Sequence, residues 1–453
     1  MDSKHDGLPK PQLYWAVFCL FSVIAVCVID GIITNIGLPT IQRDFGVTQQ
    51  ESIWVVNAYN IVLISALFTF SSLADRFGFK RLLRVGLVVF GIGAFGSLLS
   101  QSLTMLICTR IIQGFGAAML MSLTGGLLRN IYPKERVAMG IAFNGMVIGA
   151  CALIAPSLGA FIIGISDWHW IYGFSIPIII LGLLLSRFIP RLPRVKKAID
   201  YKSALLNAIT FGSLVAGLDI IYSNTLLGVI LLVVSLASVI TLYKHSLAQE
   251  HPMVPVDLLK IVSFRDAALV SAFAFISSTA CMVATPFYFE HVLGYDTKTV
   301  GLIFSSWPVA GFIMGPISAK LSARFPAALL AGIGSLILTG GLIMFALLPT
   351  DSAKYMYALA LFISGLGFGF LQTPNGKTLL LAAPQNRASA AGGMQATSRI
   401  FGQCVGGALV ATSFSINSEE GAYYGIMLSV VAAIIAAIIN LYRFITKQDS
   451  QVI

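Results

Sequence analysis

Four ionisable side chains stand inside otherwise apolar stretches, and they are the residues best placed to do chemistry. Asp30 follows the apolar run 15–29. At ~1.5 Å per residue it lies ~22 Å along a path that needs ~30 Å to cross bilayer hydrocarbon. A carboxylate at that depth costs at least a few kcal/mol unless it meets water, a cation or a proton. Asp30 is therefore either a proton-exchanging group lining a polar cavity, or a carboxylate wetted at a thinned interface or bonded between helices. Arg110 lies about seven residues into its own stretch and Arg399 about eleven into another. Arg399 is expected to face a cavity and to pair with an acid or with an anionic group of a substrate; packing against helix carbonyls is the alternative. Glu290 closes a further stretch, either wet at its edge or serving as a second proton site.

The elements that must carry these groups are membrane helices. Of 453 residues, 57% are hydrophobic and 11% charged, whereas a soluble domain carries about a quarter charged residues. The polar opening segment 1–12 leads into a run long enough to span, with no small-residue cleavage site, so no removable signal is expected. The six cysteines, Cys19, Cys27, Cys108, Cys151, Cys281 and Cys404, all fall in apolar runs without metal-ligand spacing, and read as small packing residues. The five histidines fall in tails, loops or span ends, with no nucleophile–base pattern beside them, and no phosphate-cradling Gly-Lys-Ser/Thr run exists. An enzyme and an ATP-driven pump are both disfavoured, and no metal or cofactor is expected.

Apolar runs of about 20 residues give fourteen spans, near 14–38, 53–73, 83–100, 104–128, 138–164, 170–188, 202–222, 225–243, 265–289, 299–319, 327–348, 354–380, 388–414 and 422–442. With both termini inside, the cytoplasmic segments collect 24 of the 29 basic residues and the outer ones only Arg43, Lys298 and Lys354. That asymmetry sets the orientation, and an odd number of spans would scramble it. It also accounts for the net charge of +10 through attraction to an anionic inner leaflet, without nucleic acid. Two longer inner connections, 189–201 and 244–264, bracket two plain leucine- and valine-rich spans. The chain thus divides into six spans (1–188), a linker with two further spans (189–264) and six spans (265–453). Residues 114–136 match 365–387 without a gap at Gly114/Gly365, Gly116/Gly367, Leu120/Leu371, Gly125/Gly376, Leu128/Leu379, Pro133/Pro384 and Arg136/Arg387. Duplication of this kind implies two like-oriented bundles with a site between them.

Five motifs resemble those of the major facilitator superfamily, and within it the fourteen-helix drug:proton antiporters. They are Ile29-Asp30-Gly31-Ile32-Ile33-Thr34-Asn35-Ile36-Gly37-Leu38-Pro39 in span one, Leu73-Ala74-Asp75-Arg76-Phe77-Gly78-Phe79-Lys80-Arg81 after span two, Arg110-Ile111-Ile112-Gln113-Gly114-Phe115-Gly116 in span four, Ala155-Pro156-Ser157-Leu158-Gly159-Ala160 in span five, and Trp168-His169-Trp170 before span six. The segments 52–59 and 254–259 narrow the likeness within that family. Ser71 and Phe79 depart from the loop motif. Ala155 and Ala160 replace glycines in the span-five motif, which weakens the inference to antiport.

The resemblance implies an all-α fold of two six-helix bundles plus two linker helices. It sets spans one and four side by side, so that Asp30 and Arg110 pair: burial favours the neutral acid and the cation favours the carboxylate. A proton would bind when Arg110 swings away and leave when Arg110 or a cationic substrate returns; a static ion pair is the alternative. Asp75 would cap a helix of the other half and Arg76 would pair with an acid such as Glu135, latching the inner side around Gly78, Lys80 and Arg81; plain positive-inside anchoring is the alternative. Asp219 is expected near the interface on a peripheral linker span. Asn35, Asn57, Tyr59, Gln113, Trp307, Gln372 and Asn375, with Arg399, are expected to supply a mostly apolar cavity with a few polar contacts. The expected activity is export of lipophilic molecules, cationic ones included, driven by the proton gradient. Proton-coupled uptake of a small polar solute is the alternative. The expected setting is a monomer in the bacterial cytoplasmic membrane.

Overall fold

The computed structural model describes residues 7–133, 136–190, 200–222, 224–249, 252, 254–322, 324–384 and 388–446. Among these the chain is helical, with no strand. Fourteen long helical segments follow one another: α1 Lys10–Phe45, α2 Gln49–Phe77, α3 Phe79–Leu98, α4 Leu103–Ser122 continued as Thr124–Ile131, α5 Val137–Ile165, α6 Trp170–Gly173 with Ser175–Leu185, α7 Tyr201–Ile220, α8 Thr225–Leu247, α9 Val262–Phe287, α10 Thr297–Phe304 with Ser306–Leu321, α11 Ala327–Leu347, α12 Lys354–Ala382, α13 Ala388–Ile416 and α14 Gly421–Ile445. Thirteen of them are long and apolar enough to cross a membrane. The other is α13, which carries Gln395, Arg399 and Gln403. Helix ends are fixed by polar caps outside the apolar cores. Thr48 and Glu51 form a reciprocal capping box on α2, and Ser102, Asp200, Asn224 and Asp296 each accept an amide of the helix they open.

The two sets of six helices repeat one packing pattern. α1 packs on α5, and α2 and α3 on α4; eight helices later, α9 packs on α13, and α10 and α11 on α12. The matched glycines of α4 and α12 do the same work in both places. A Cβ at Gly114 would lie 2.9 Å from the Tyr59 carbonyl of α2, and one at Gly365 would collide with the Trp307 carbonyl of α10. Likewise Gly116 sits against the backbone of Phe90 in α3, and Gly367 against that of Leu338 in α11. Backbones can approach so closely only where the side chain is a hydrogen atom, which supplies the dispersion contacts that hold helices together in lipid.

The halves meet through α1 with α9, α2 with α13, and α5 with α10. The linker helices α7 and α8 form a tight hairpin, with Gly228 against the backbone of Ile221. α7 lies over the seam between α2 and α13. Its Asn207 Nδ2 donates to the carbonyls of Ile64 and Ser65 (3.2 and 3.1 Å). Asp219 is buried rather than laid open at an edge: its Oδ2 accepts from Trp54 Nε1 (2.8 Å) and its Oδ1 from Gln50 Nε2 (3.1 Å).

Candidate functional site

Arg110 and Gln113 stand three residues apart on α4, so both project from one face toward α1. There they enclose Asp30. Arg110 Nη1 donates to Asp30 Oδ2 at 2.6 Å and to Gln113 Oε1 at 2.7 Å, while Gln113 Nε2 donates to Asp30 Oδ1 at 2.8 Å. Arg110 Nε reaches the Val55 carbonyl of α2 at 3.2 Å. The guanidinium lies over the ring of Tyr59 (4.3 Å to the centroid) and near that of Tyr172 on α6 (5.3 Å). Asp30, Arg110 and Gln113 are each 0% exposed. Each carboxylate oxygen accepts one hydrogen bond, Oδ2 from Arg110 and Oδ1 from Gln113. Arg110 Nη2 has no hydrogen-bond partner among the described residues.

Other polar residues stand on either side of the plane between the halves. Asn57 is 0% exposed, neither atom of its amide is bonded among the described residues, and it abuts Gly407 of α13. Arg399 on α13 is half-buried, and its buried Nε has no hydrogen-bond partner among the described residues. Tyr59 in turn feels Asp30, Arg110 and Arg399 together. Asn35 is buried with its Oδ1 unbonded, and Gln372 has a buried, unbonded Nε2. Trp307 is buried against Phe368 (6.0 Å between rings). Asn375 lies inside the second bundle, donating to the Ala267 carbonyl (2.9 Å) and Ser271 Oγ (3.1 Å) and accepting from Arg443 Nη1 (2.9 Å). Arg443 is itself fully buried near the end of α14 and also donates to Asn440. A separate apolar groove of ≈ 340 Å³, lined by side chains such as Ile333, Leu336 and Ile438, opens between α11 and α14 and includes none of these groups except Asn440 beside it.

At the end of α1 remote from Lys10 the two halves are bolted together. Arg43 Nη2 lies 2.8 Å from Glu290 Oε2, and Glu290 Oε1 accepts from Thr297 Oγ1 (3.2 Å). Glu290 sits in a π-helical turn, Tyr288–Val292, that ends the α9 segment. Ser157 and Ser305 hydroxyls meet at 2.5 Å. The span-five motif packs here: Gly159 faces Ile33 of α1, while the methyl of Ala160 fills the space over Gly301 of α10. The glycine that the motif lacks is thus supplied by the facing helix, and close approach survives. Arg43 was legible only as one of three basic residues on its side; nothing local marks its partner, 247 positions away.

At the other end, Gly78 takes φ +94° between α2 and α3, a conformation glycine adopts freely. Lys80 Nζ donates to the Arg187 carbonyl (2.6 Å) and Arg84 Nε to Ser186 Oγ (2.8 Å), which ties the loop to the last turn of α6 in its own half. Arg76 and Arg81 are exposed, and the Arg76 guanidinium lies 5.8 Å from the Phe77 ring. Glu135, its expected partner, lies outside the described residues. In the loop ahead of α7, burial works against a charge on Asp200, but bonds from Ser203, Gln249 and His245 outweigh it and hold the carboxyl well below the usual range.

The sequence matches the Major Facilitator Superfamily model over residues 19–407. It is 37% identical to the uncharacterized transporter YebQ of Escherichia coli (strain K12), covering 98% of both chains. It is 28% identical to the riboflavin transporter RibZ of Clostridioides difficile (strain 630), covering 88% of each, and 26% identical to the multidrug efflux pump SdrM of Staphylococcus aureus (strain N315), covering 96% and 97%. Among solved structures, a POT family transporter in complex with a thioalcohol-conjugated peptide superposes with a TM-score of 0.72 at 17% identity, covering 95% of this chain and 96% of that one. This chain belongs to the Major Facilitator Superfamily and is a multi-pass membrane transporter, not an enzyme.

Proposed function

We propose that the protein is a proton-coupled secondary transporter that exports lipophilic small molecules by alternating access, with Asp30 as the group that carries the proton. The observation behind this reading is the enclosed Asp30–Arg110–Gln113 cluster. A carboxylate and a guanidinium 2.6 Å apart and wholly out of water are stable only together. A proton on Asp30 therefore weakens its hold on Arg110, so protonation and the position of α4 relative to α1 are linked. The two bundles would rock about the seam, with Arg43–Glu290 closing the outer side when the inner side is open. We further propose that both termini and the 24 basic residues of the connecting segments face the cytoplasm, and that the protein works as a monomer in the bacterial cytoplasmic membrane. The energy source is the proton gradient, with no bound cofactor.

The name of SdrM supports export. A second reading, proton-coupled uptake of a polar solute, is favoured by one observation: Arg399 is a cation in the seam without a carboxylate partner among the described residues. The test is transport by the purified protein in proteoliposomes under an imposed proton gradient, assayed with a panel of lipophilic cations, neutral dyes and acids. Export predicts movement of the probe against the proton flow. Movement of every transported probe along the proton flow overturns export and leaves uptake.

A further inference from the structure

The charges along the seam sum to zero, but they do not all pair. Asp30 is matched by Arg110, Glu290 by Arg43 at one end, and Asp219 is held by the neutral donors of Trp54 and Gln50 on the flank. Arg399 remains. It projects from the middle of α13, a helix that packs against α2 of the other half. Its Nε is buried with no hydrogen-bond partner among the described residues, while the residue as a whole is partly exposed. A guanidinium only partly hydrated and given no counter-charge among the described residues is costly to keep inside a membrane bundle, and a protein keeps such a group where something binds to it. A second, independent feature points the same way. Asn57, on α2, is wholly buried with both amide atoms unbonded, and it faces α13 at Gly407, about 12 Å of helix rise beyond Arg399.

We infer that the transported molecule carries an anionic group, a carboxylate or its equivalent, that docks on Arg399, with a polar group toward the Asn57 amide and an apolar body between them. Arginine offers a planar fork of donors that matches a carboxylate in a way a point charge does not. The inference goes beyond the transport reading, because it concerns the charge class of the cargo; for acids it sides with the second reading, uptake along the proton flow. It has one consequence for coupling. The groups facing Asp30 are Arg110 and Gln113 of α4, Tyr59 of α2, Cys27 of α1 itself and Tyr172 of α6. A proton on Asp30 leaves the positive charge of Arg110 uncancelled, and an anion at Arg399 compensates it. Proton and anion thus reinforce one another, and an acid travels with protons, whereas a neutral lipophile leaves the proton free to be exchanged against it.

The test uses three probes that share a ring system and differ in charge: 2-naphthoate, 2-naphthamide and 2-naphthylmethylammonium. Counterflow in proteoliposomes at equal pH and zero potential reads selectivity without coupling. Naphthoate should exchange at least about tenfold faster than the ammonium. In Arg399→Gln the naphthoate-to-naphthamide ratio should fall about tenfold, and Arg399→Lys should keep part of it. Protection of the detergent-solubilised protein against heat by millimolar naphthoate, lost in Arg399→Gln, reads binding alone. Preference for the ammonium, an unchanged ratio in Arg399→Gln, or no protection by naphthoate overturns the inference. Intact naphthoate preference with no response to a pH gradient overturns the proton-coupled reading and leaves this one standing.

Discussion

The Asp30–Arg110 pair sets a quantitative expectation for a double-mutant cycle. At 2.6 Å and an effective dielectric of ~20, two unit charges attract by about 6 kcal/mol. Removing each from water costs several kcal/mol, so the pair as a whole is close to balance. The single changes are not balanced. Arg110→Met leaves a buried carboxylate with only Gln113 Nε2 as donor, and should destabilise the fold by about 3–5 kcal/mol. Asp30→Asn should cost less, because the guanidinium keeps Gln113, the Val55 carbonyl and the faces of Tyr59 and Tyr172. The double variant should lie within about 1–2 kcal/mol of the parent, so the coupling energy between the sites is about 2 kcal/mol or more. Heat unfolding in detergent can be followed with a thiol-reactive dye, since Cys19, Cys27, Cys151, Cys281 and Cys404 are buried and become reactive only on opening. Additive losses in the double variant would refute the reasoning, because they would mean the two charges do not depend on each other.

Three further outcomes follow from other parts of the molecule. Arg43 is largely solvent-exposed, so its bond to Glu290 is worth at most about 1 kcal/mol; Glu290→Gln should raise the labelling rate of a cysteine placed at Ile36 by an impermeant maleimide up to about fivefold, and an unchanged rate would show that the bolt does not hold that end shut. Gly116→Leu and Gly367→Leu should each abolish accumulation of folded protein, since both glycines touch a neighbouring backbone, whereas Gly125→Ala should be silent because nothing lies within 4 Å of its added carbon; membrane abundance distinguishes these outcomes. Asp200 is held below the ordinary carboxylate range by its hydrogen bonds, so its contribution to stability is complete above the unfolded value of ~3.9 and is lost as pH falls below it. Asp200→Asn should therefore flatten the acid side of the melting-temperature profile, and a profile as steep as the parent's would count against that role.

The fold was readable because a bilayer leaves few choices. Runs of about 20 apolar residues must be helices, and the chain holds fourteen long ones. Two of the three glycine matches between 114–136 and 365–387, Gly114/Gly365 and Gly116/Gly367, proved to be matched backbone contacts, while Gly125/Gly376 did not; a requirement for close approach is written in a single residue type. The Asp30–Arg110 contact was reached through resemblance rather than periodicity; depth along two separate helices could not show that they are neighbours. What stayed hidden depends on positions far apart in sequence. The bolt between Arg43 and Glu290, the burial of Asp219 beneath Trp54, and the engagement of Asn375 by Arg443 each join helices whose rotation about their axes no local pattern sets. Arg443 in particular looks like any basic residue at a helix end until the bundle closes around it.

The account rests on Asp30 taking up and releasing a proton as the two halves exchange places. The most direct measurement is transport of a neutral lipophilic dye by parent and Asp30→Asn proteins in matched proteoliposomes, across a series of imposed pH gradients. The account predicts that the parent's rate rises with the gradient while that of Asp30→Asn is flat, with counterflow exchange at equal pH retained. A variant rate that climbs with the gradient as steeply as the parent's would contradict it.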